Sequence, residues 1–183
     1  MSDFKNDYSQ CAHPAILGAL TRLGAETNCA YGGDTHSTAA EDIIRKLCES
    51  PKAEVAFIAG GTTTNVLAIS ALLRNGYEAV ISAETGHINV HETGAIEHCG
   101  HKVLALPTDN GKITAQQVWD YYDWQRNDES VEHIVQPGMV YISYPTEGGT
   151  IYSKQELTDI YAVCQKHGMP LFIDGARMGY GLM

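Results

Sequence analysis

Positive charge is scarce in this chain: 12 Lys and Arg stand against 22 Asp and Glu, a formal net charge of -10. The basic residues are also scattered, and without a basic footprint a nucleic-acid partner is disfavoured. No apolar run approaches the length needed to cross a bilayer. The opening Met1-Ser2-Asp3-Phe4-Lys5 has no signal-peptide hydrophobic region. Cysteine is sparse and odd in number (Cys11, Cys29, Cys48, Cys99, Cys164), with no Cys-x-x-Cys pair. That usage argues against a disulfide frame or a zinc site and predicts reduced thiols in a cytoplasmic protein. Repeats, low-complexity tracts and linkers are missing as well.

What is present is a globular composition, 44% apolar and 19% charged over 183 residues, enough for a sizeable core. Residues 13–23 read as a helix, with Pro14 in its first turn, an Ile16, Leu17, Leu20, Leu23 stripe and Gly24 as a stop. Thr38-Ala39-Ala40-Glu41 reads as a capping box opening a second helix. The pattern then alternates. Strands are expected at 55–59, 79–82, 102–106, 139–143 and 171–173. Helices are expected at 62–75 and 89–99, after a Thr114–Gln117 cap, and from a Ser153–Glu156 cap to His167-Gly168. Strand and helix in alternation give right-handed βαβ units, hence an α/β fold with a mainly parallel sheet.

Chemistry is expected at the carboxyl ends of such strands. Leu171-Phe172-Ile173 runs into Asp174-Gly175-Ala176-Arg177, so Asp174 falls at such an end and Arg177 reaches the same side after the turn. The plainer reading makes Asp174 a helix cap and Arg177 a solvated cation. Ala59-Gly60-Gly61-Thr62-Thr63-Thr64-Asn65 joins the first strand to its helix. Its glycines, hydroxyls and helix N-terminus suit an anion, although it is neither a Walker loop nor a dinucleotide fingerprint. An ordinary glycine turn with a Thr cap is the alternative. Glu84-Thr85-Gly86-His87 follows the second strand. His87 and His91 have metal-pair spacing, but no third ligand is evident and a metal site is not expected. An anion cradle, an imidazole, and an Asp with an Arg on one sheet edge fit a phosphate-bearing aromatic ring. Pyridoxal phosphate is such a cofactor: a carboxylate partner keeps its pyridine nitrogen protonated.

Six stretches carry a family resemblance: Phe4 to Leu20, Tyr31-Gly32-Gly33-Asp34, Gly61 to Asn65, Glu84 to Asn89, Pro145 to Tyr152, and Asp174 to Arg177. On these the chain resembles the threonine aldolase and β-eliminating lyase family of pyridoxal phosphate enzymes, which have the aspartate aminotransferase fold (type I). The resemblance implies a three-layer αβα large domain over 51–183 after a helical arm over 1–50. It implies that Gly61 and Thr62 hold the phosphate, His87 stacks on the ring, Asp174 meets the ring nitrogen, and Arg177 binds the substrate carboxylate as a bidentate fork. Glu84 or His87 would take the β-hydroxyl proton. Asp7, Ser9 and Tyr31 would belong to the substrate side, Tyr31 at a neighbouring subunit's site.

The implied activity is low-specificity L-threonine aldolase: threonine or allo-threonine cleaved to glycine and acetaldehyde. β-Elimination on another amino acid is the alternative, and a non-catalytic remnant is a third reading. Two departures from the family pattern bear on it. Pro145-Thr146-Glu147 stands where a better-known branch has a His. None of the seven lysines occupies the place of the family's Schiff-base lysine, which follows the Asp-Gly-Ala-Arg motif. The sequence therefore predicts an incomplete large domain, inactive alone, with the later strands and small C-terminal domain absent. Its expected partners are a small amino acid and either a second copy, as homodimer or homotetramer, or a C-terminal fragment. Residues 55–59 would then be an unpaired strand.

Overall fold

The structure, a computed structural model, describes residues 6, 8, 9, 11–74 and 76–183. The chain divides into two compact units, Met1–Phe57 and Ile58–Met183.

The first unit carries two helices. Helix α1 (Pro14–Leu23) starts with proline at N1, and the ring Nδ1 of His13 accepts the Ala15 N–H at 3.2 Å. Helix α2 (Thr35–Leu47) is capped by Asp34, whose Oδ1 accepts the N–H groups of His36 and Ser37 at 2.9 and 2.8 Å. The expected capping box at Thr38–Glu41 is thereby corrected, because the helix already begins at Thr35 and Asp34 satisfies its first orphan donors at His36 and Ser37. The Thr38 hydroxyl instead donates back to the Asp34 carbonyl at 3.1 Å, and Glu41 pairs with Arg45 at 2.9 Å. Bonds from Ser37 hold the Asp34 carboxyl below its ordinary range.

The second unit is built on four parallel strands, β1 (Glu78–Ala83), β2 (Val103–Leu106), β3 (Gln136–Ser143) and β4 (Leu171–Asp174), in the order β2-β1-β3-β4. The expected strand at 55–59 is not formed: the segment has no ladder partner among the described residues, and a lone extended segment leaves its backbone groups to solvent. Leu171–Asp174 is therefore the fourth strand and not the fifth. Side chains alternate across the sheet. Ala79, Ile81, Leu104, Val140 and Ile142 pack on one face against Val118, Ile160 and Cys164. Val80, Val103, Met139 and Tyr141 pack on the other against Ile69, Leu73, Ile88 and Ile96. The residues of the first face meet α6 (Ala115–Asn127) and α7 (Lys154–His167), and those of the second meet α3 (Gly61–Leu72), α4 (His87–Val90) and α5 (Ala95–His98). This makes three layers. A last short helix, α8 (Met178–Gly181), follows β4. Among the described residues no helix is long and apolar enough to cross a membrane.

Capping chemistry sets the long helices. Thr114 with Gln117 and Ser153 with Glu156 form complete capping boxes, and Gly168 closes α7 with φ 68°. The helix expected at 89–99 is broken. A 3-10 turn, Glu92–Gly94, separates α4 from α5, and Glu92, Thr93 and Gly94 have φ of 61°, 52° and 74°. Three left-handed residues in a row cannot continue a right-handed helix.

Two measurements check this packing. Ile160 is fully buried, and Ile160→Ala should cost about 2–5 kcal/mol in urea unfolding. Ser153→Ala, which removes only a cap, should cost about 1 kcal/mol. Equal losses would contradict the layer assignment. Lys112 Nζ lies 2.6 Å from Glu156 Oε1, and this bond, with those from Ser153, lowers the Glu156 pKa from 4.5 to about 2. A depressed carboxylate stabilises above its unfolded pKa and loses that stability as pH falls. Stability should therefore drop between about pH 4.5 and 2, and Glu156→Gln should flatten that part of the pH profile.

Candidate active site

Strands β1, β3 and β4 end together, with Ser143 opposite Asp174 in register and Glu84 beginning just past Ala83. A pocket opens there, lined by Gly61, Thr62, His87, Glu92, Ser143, Pro145, Glu147, Asp174, Ala176 and Arg177. Its enclosed volume is about 70 Å³, so any larger ligand lies partly outside it. A bigger cavity of about 470 Å³ sits at the amino ends of the strands, near Arg74 and Glu78, which already pair at 2.8 Å. The chemistry gathers at the smaller one.

Local structure explains why these side chains meet. Gly60 takes φ 92° and starts α3, and no side chain caps that helix, so its first N–H groups remain available for an anion. A Cβ built on Gly61 would meet nothing within 4 Å, which leaves open space beside the helix start. Gly86 lies so close to Ser82 and the Ala83 carbonyl that a Cβ would collide with both, and this close approach sets His87 at the end of β1.

Asp174 is held from two sides. Its Oδ1 accepts the Ala176 N–H at 3.1 Å, a turn contact and not the helix cap that the plainer sequence reading expected, since Arg177 is the N-cap residue of α8. Its Oδ2 accepts from the Tyr141 hydroxyl at 2.7 Å and the Asn65 amide at 3.2 Å. Burial, reinforced by the charge of Asp174, pushes the Tyr141 phenol far above its ordinary pKa, so it stays a donor. The same Asn65 nitrogen donates to Glu92 Oε1 at 2.8 Å, and His87 Nδ1 lies 2.6 Å from that oxygen. Ser143 Oγ donates to Glu147 Oε1 at 2.6 Å. The second oxygens of Glu92 and Glu147 are buried without a partner. Three carboxylates thus face a pocket that holds one guanidinium, Arg177.

Gly61, Thr62, His87, Asp174 and Arg177, all singled out from the sequence, are brought together here. Glu84 is not: its Oε1 accepts the Thr108 N–H at 3.1 Å, and it does not line the pocket. Asp7 lies outside the described residues. Ser9, whose hydroxyl donates to Asn6, and Tyr31, exposed at φ 60°, belong to the first unit. Sequence reasoning missed Asn65, Glu92, Tyr141, Ser143 and Glu147. The first and last lay inside quoted motifs, and Tyr141 and Ser143 share a strand face with spacing of two. The structure groups His87 with residues that spacing along the chain did not suggest. His87, Glu92 and Asp174 bring ligand atoms within 4.8 Å of one another, while His91 is outside the group.

Comparison with known proteins agrees with this geometry. A model of the beta-eliminating lyase family matches residues 3–179. The low-specificity L-threonine aldolase of Pseudomonas aeruginosa is 35% identical over 176 residues, which are 95% of this chain and 49% of that protein. The corresponding enzyme of Saccharomyces cerevisiae is 22% identical over 82% of the chain. The solved structure of Leishmania major threonine aldolase superposes with a TM-score of 0.90 at 47% identity, covering 97% of this chain and 50% of that one. An aspartate aminotransferase from Thermus thermophilus, at 18% identity and TM-score 0.60, shares the fold. The chain spans about half the length of the relatives it matches.

The donor to Asp174 is testable on its own. Tyr141→Phe should destabilise the protein by about 1.5–3 kcal/mol, the range for a bond to a charged acceptor. A loss below about 0.5 kcal/mol in urea titration would show that this bond does not hold the carboxylate.

Proposed function

This chain belongs to the beta-eliminating lyase family, and we propose that it is the N-terminal part of a pyridoxal phosphate-dependent lyase that cleaves threonine or allo-threonine to glycine and acetaldehyde. The convergence of a bare helix N-terminus, His87, Asp174 and Arg177 on one pocket carries the reading.

The residues fit the cofactor. The N-terminal N–H groups of α3 at Gly61 and Thr62 suit its phosphate. The acidic excess, with two orphaned buried carboxylate oxygens beside the pocket, suits a ring nitrogen that carries a proton. When bound, the group would supply an electron sink for the carbon–carbon cleavage. Asp174, kept an acceptor by Tyr141 and Asn65, holds the ring N–H. Arg177 takes the substrate carboxylate, for which its planar fork is matched. His87, assigned to the ring face, takes the β-hydroxyl proton. Glu84 remains a weaker choice for that step, since its carboxylate is tied to Thr108.

In this proposal the division is a helical arm over 1–50 and a partial cofactor-binding domain over 51–183. Asp7, Ser9 and Tyr31 are assigned to the substrate side of a homodimer or homotetramer, because symmetric assembly can place an arm at a neighbour's site. A cytoplasmic setting suits the free cysteines. Among the described residues no lysine lines the pocket, so the chain by itself is expected to hold the cofactor noncovalently and not to turn over. One observation favours a second reading. Glu147, bonded to Ser143, lines the pocket from the Pro145-Thr146-Glu147 loop, in which the resemblance leads one to expect a His, and a carboxylate from that loop suits β-elimination on a different amino acid.

The full-length protein, given threonine, should release glycine and acetaldehyde. Keto acid and ammonia would select β-elimination, and no product from either substrate class would leave a non-catalytic remnant. Arg177→Ala should raise KM for threonine by roughly tenfold or more, the loss expected of a charge-assisted fork. An unchanged KM would refute its role.

A further inference from the structure

We infer that Glu92 is a positioning residue: it accepts the hydrogen on His87 Nδ1 and so keeps Nε2 as the bare, proton-accepting nitrogen of the ring. The inference rests on the proposed function for its use in catalysis, but not for its geometry.

Hydrogens can be counted around this pair. The Asn65 amide nitrogen has two, and its two bonds, to Glu92 Oε1 and to Asp174 Oδ2, use both. Glu92 Oε1 therefore acts as an acceptor. His87 Nδ1 lies 2.6 Å from that same oxygen, so the hydrogen between them sits on Nδ1. A neutral imidazole with its hydrogen on Nδ1 has none on Nε2. The ring can then take a proton only at Nε2, and the His87 side chain, 37% exposed, is open to a ligand.

Glu92 cannot do this work directly. Its side chain is 1% exposed, Oε1 already accepts two bonds, and Oε2 is buried without a partner. The backbone supports the same reading. Glu92 and Thr93 hold left-handed φ of 61° and 52°, conformations that L-residues with a side chain rarely adopt. Strain kept next to a buried carboxylate that bonds a pocket imidazole is the pattern of a site held in place by its surroundings.

The test reads the ring itself. Long-range ¹H–¹⁵N spectra of the chain without cofactor, with His87 assigned by loss of its signals in His87→Asn, report which nitrogen is protonated in the neutral ring. The expected result is Nδ1–H in the wild-type chain, a switch to Nε2–H in Glu92→Ala, and retention of Nδ1–H in Glu92→Gln, whose amide oxygen can accept the same bonds. A neutral wild-type ring protonated on Nε2 would overturn the inference, and so would a Glu92→Ala chain still protonated on Nδ1. Because neither cofactor nor turnover is involved, this outcome is independent of the aldolase assay. In the full-length enzyme, Glu92→Ala should lower kcat by roughly a hundredfold, the low end for proton-transfer catalysis, with KM for threonine kept. A rise in KM at unchanged kcat would also overturn it.

Discussion

One side-chain amide ties the site together. Asn65, on the first turn of α3, donates to a carboxylate at the end of β4 and to another in the left-handed turn after α4. Those three elements are distant in sequence, and Asn65 is nearly fully buried. In a low-dielectric interior two carboxylates repel, and a shared donor is what lets both approach one pocket. Tyr141 adds a second donor from β3, and its burial guarantees that it remains one. The functional edge of the sheet is therefore a single network, not a set of separate contacts.

The same network supports the proposed cofactor. Among the described residues three carboxylates line the pocket against one guanidinium, Arg177, and one imidazole, His87, so acid is in excess there. Under the proposed reading a protonated heterocycle would supply positive charge at Asp174, and the N-terminus of α3 would suit an anionic tail. A plain sugar or a neutral aromatic ring would leave these groups unmatched.

Much of this was legible in the sequence where local chemistry decided the outcome. The boxes Thr114–Gln117 and Ser153–Glu156 mark their helices because the donors and acceptors lie three residues apart. The consecutive apolar residues of β4 announce a strand with Asp174 at its end, but at the edge of the four-stranded sheet those residues are half-buried and not buried on both faces. The failures were cases where something outside the motif decided. Residues 55–59 have strand propensity but no ladder partner among the described residues. Thr38 and Glu41 form a plausible box, yet Asp34 caps first. Glu92 sat in an apparent helix, and only its left-handed φ turns it from a surface acid into a partner of His87. Spacing along a helix cannot reveal a residue whose position depends on leaving that helix.

The central claim is that Asp174 recognises a protonated ring nitrogen. Titration of the chain with pyridoxal 5′-phosphate, followed by absorbance and tryptophan fluorescence, tests it most directly when wild type and Asp174→Asn are compared. Saturable wild-type binding that weakens by roughly tenfold or more in the variant is the expected result, since a charge-assisted bond is lost. Equal affinity in the two proteins would contradict the account.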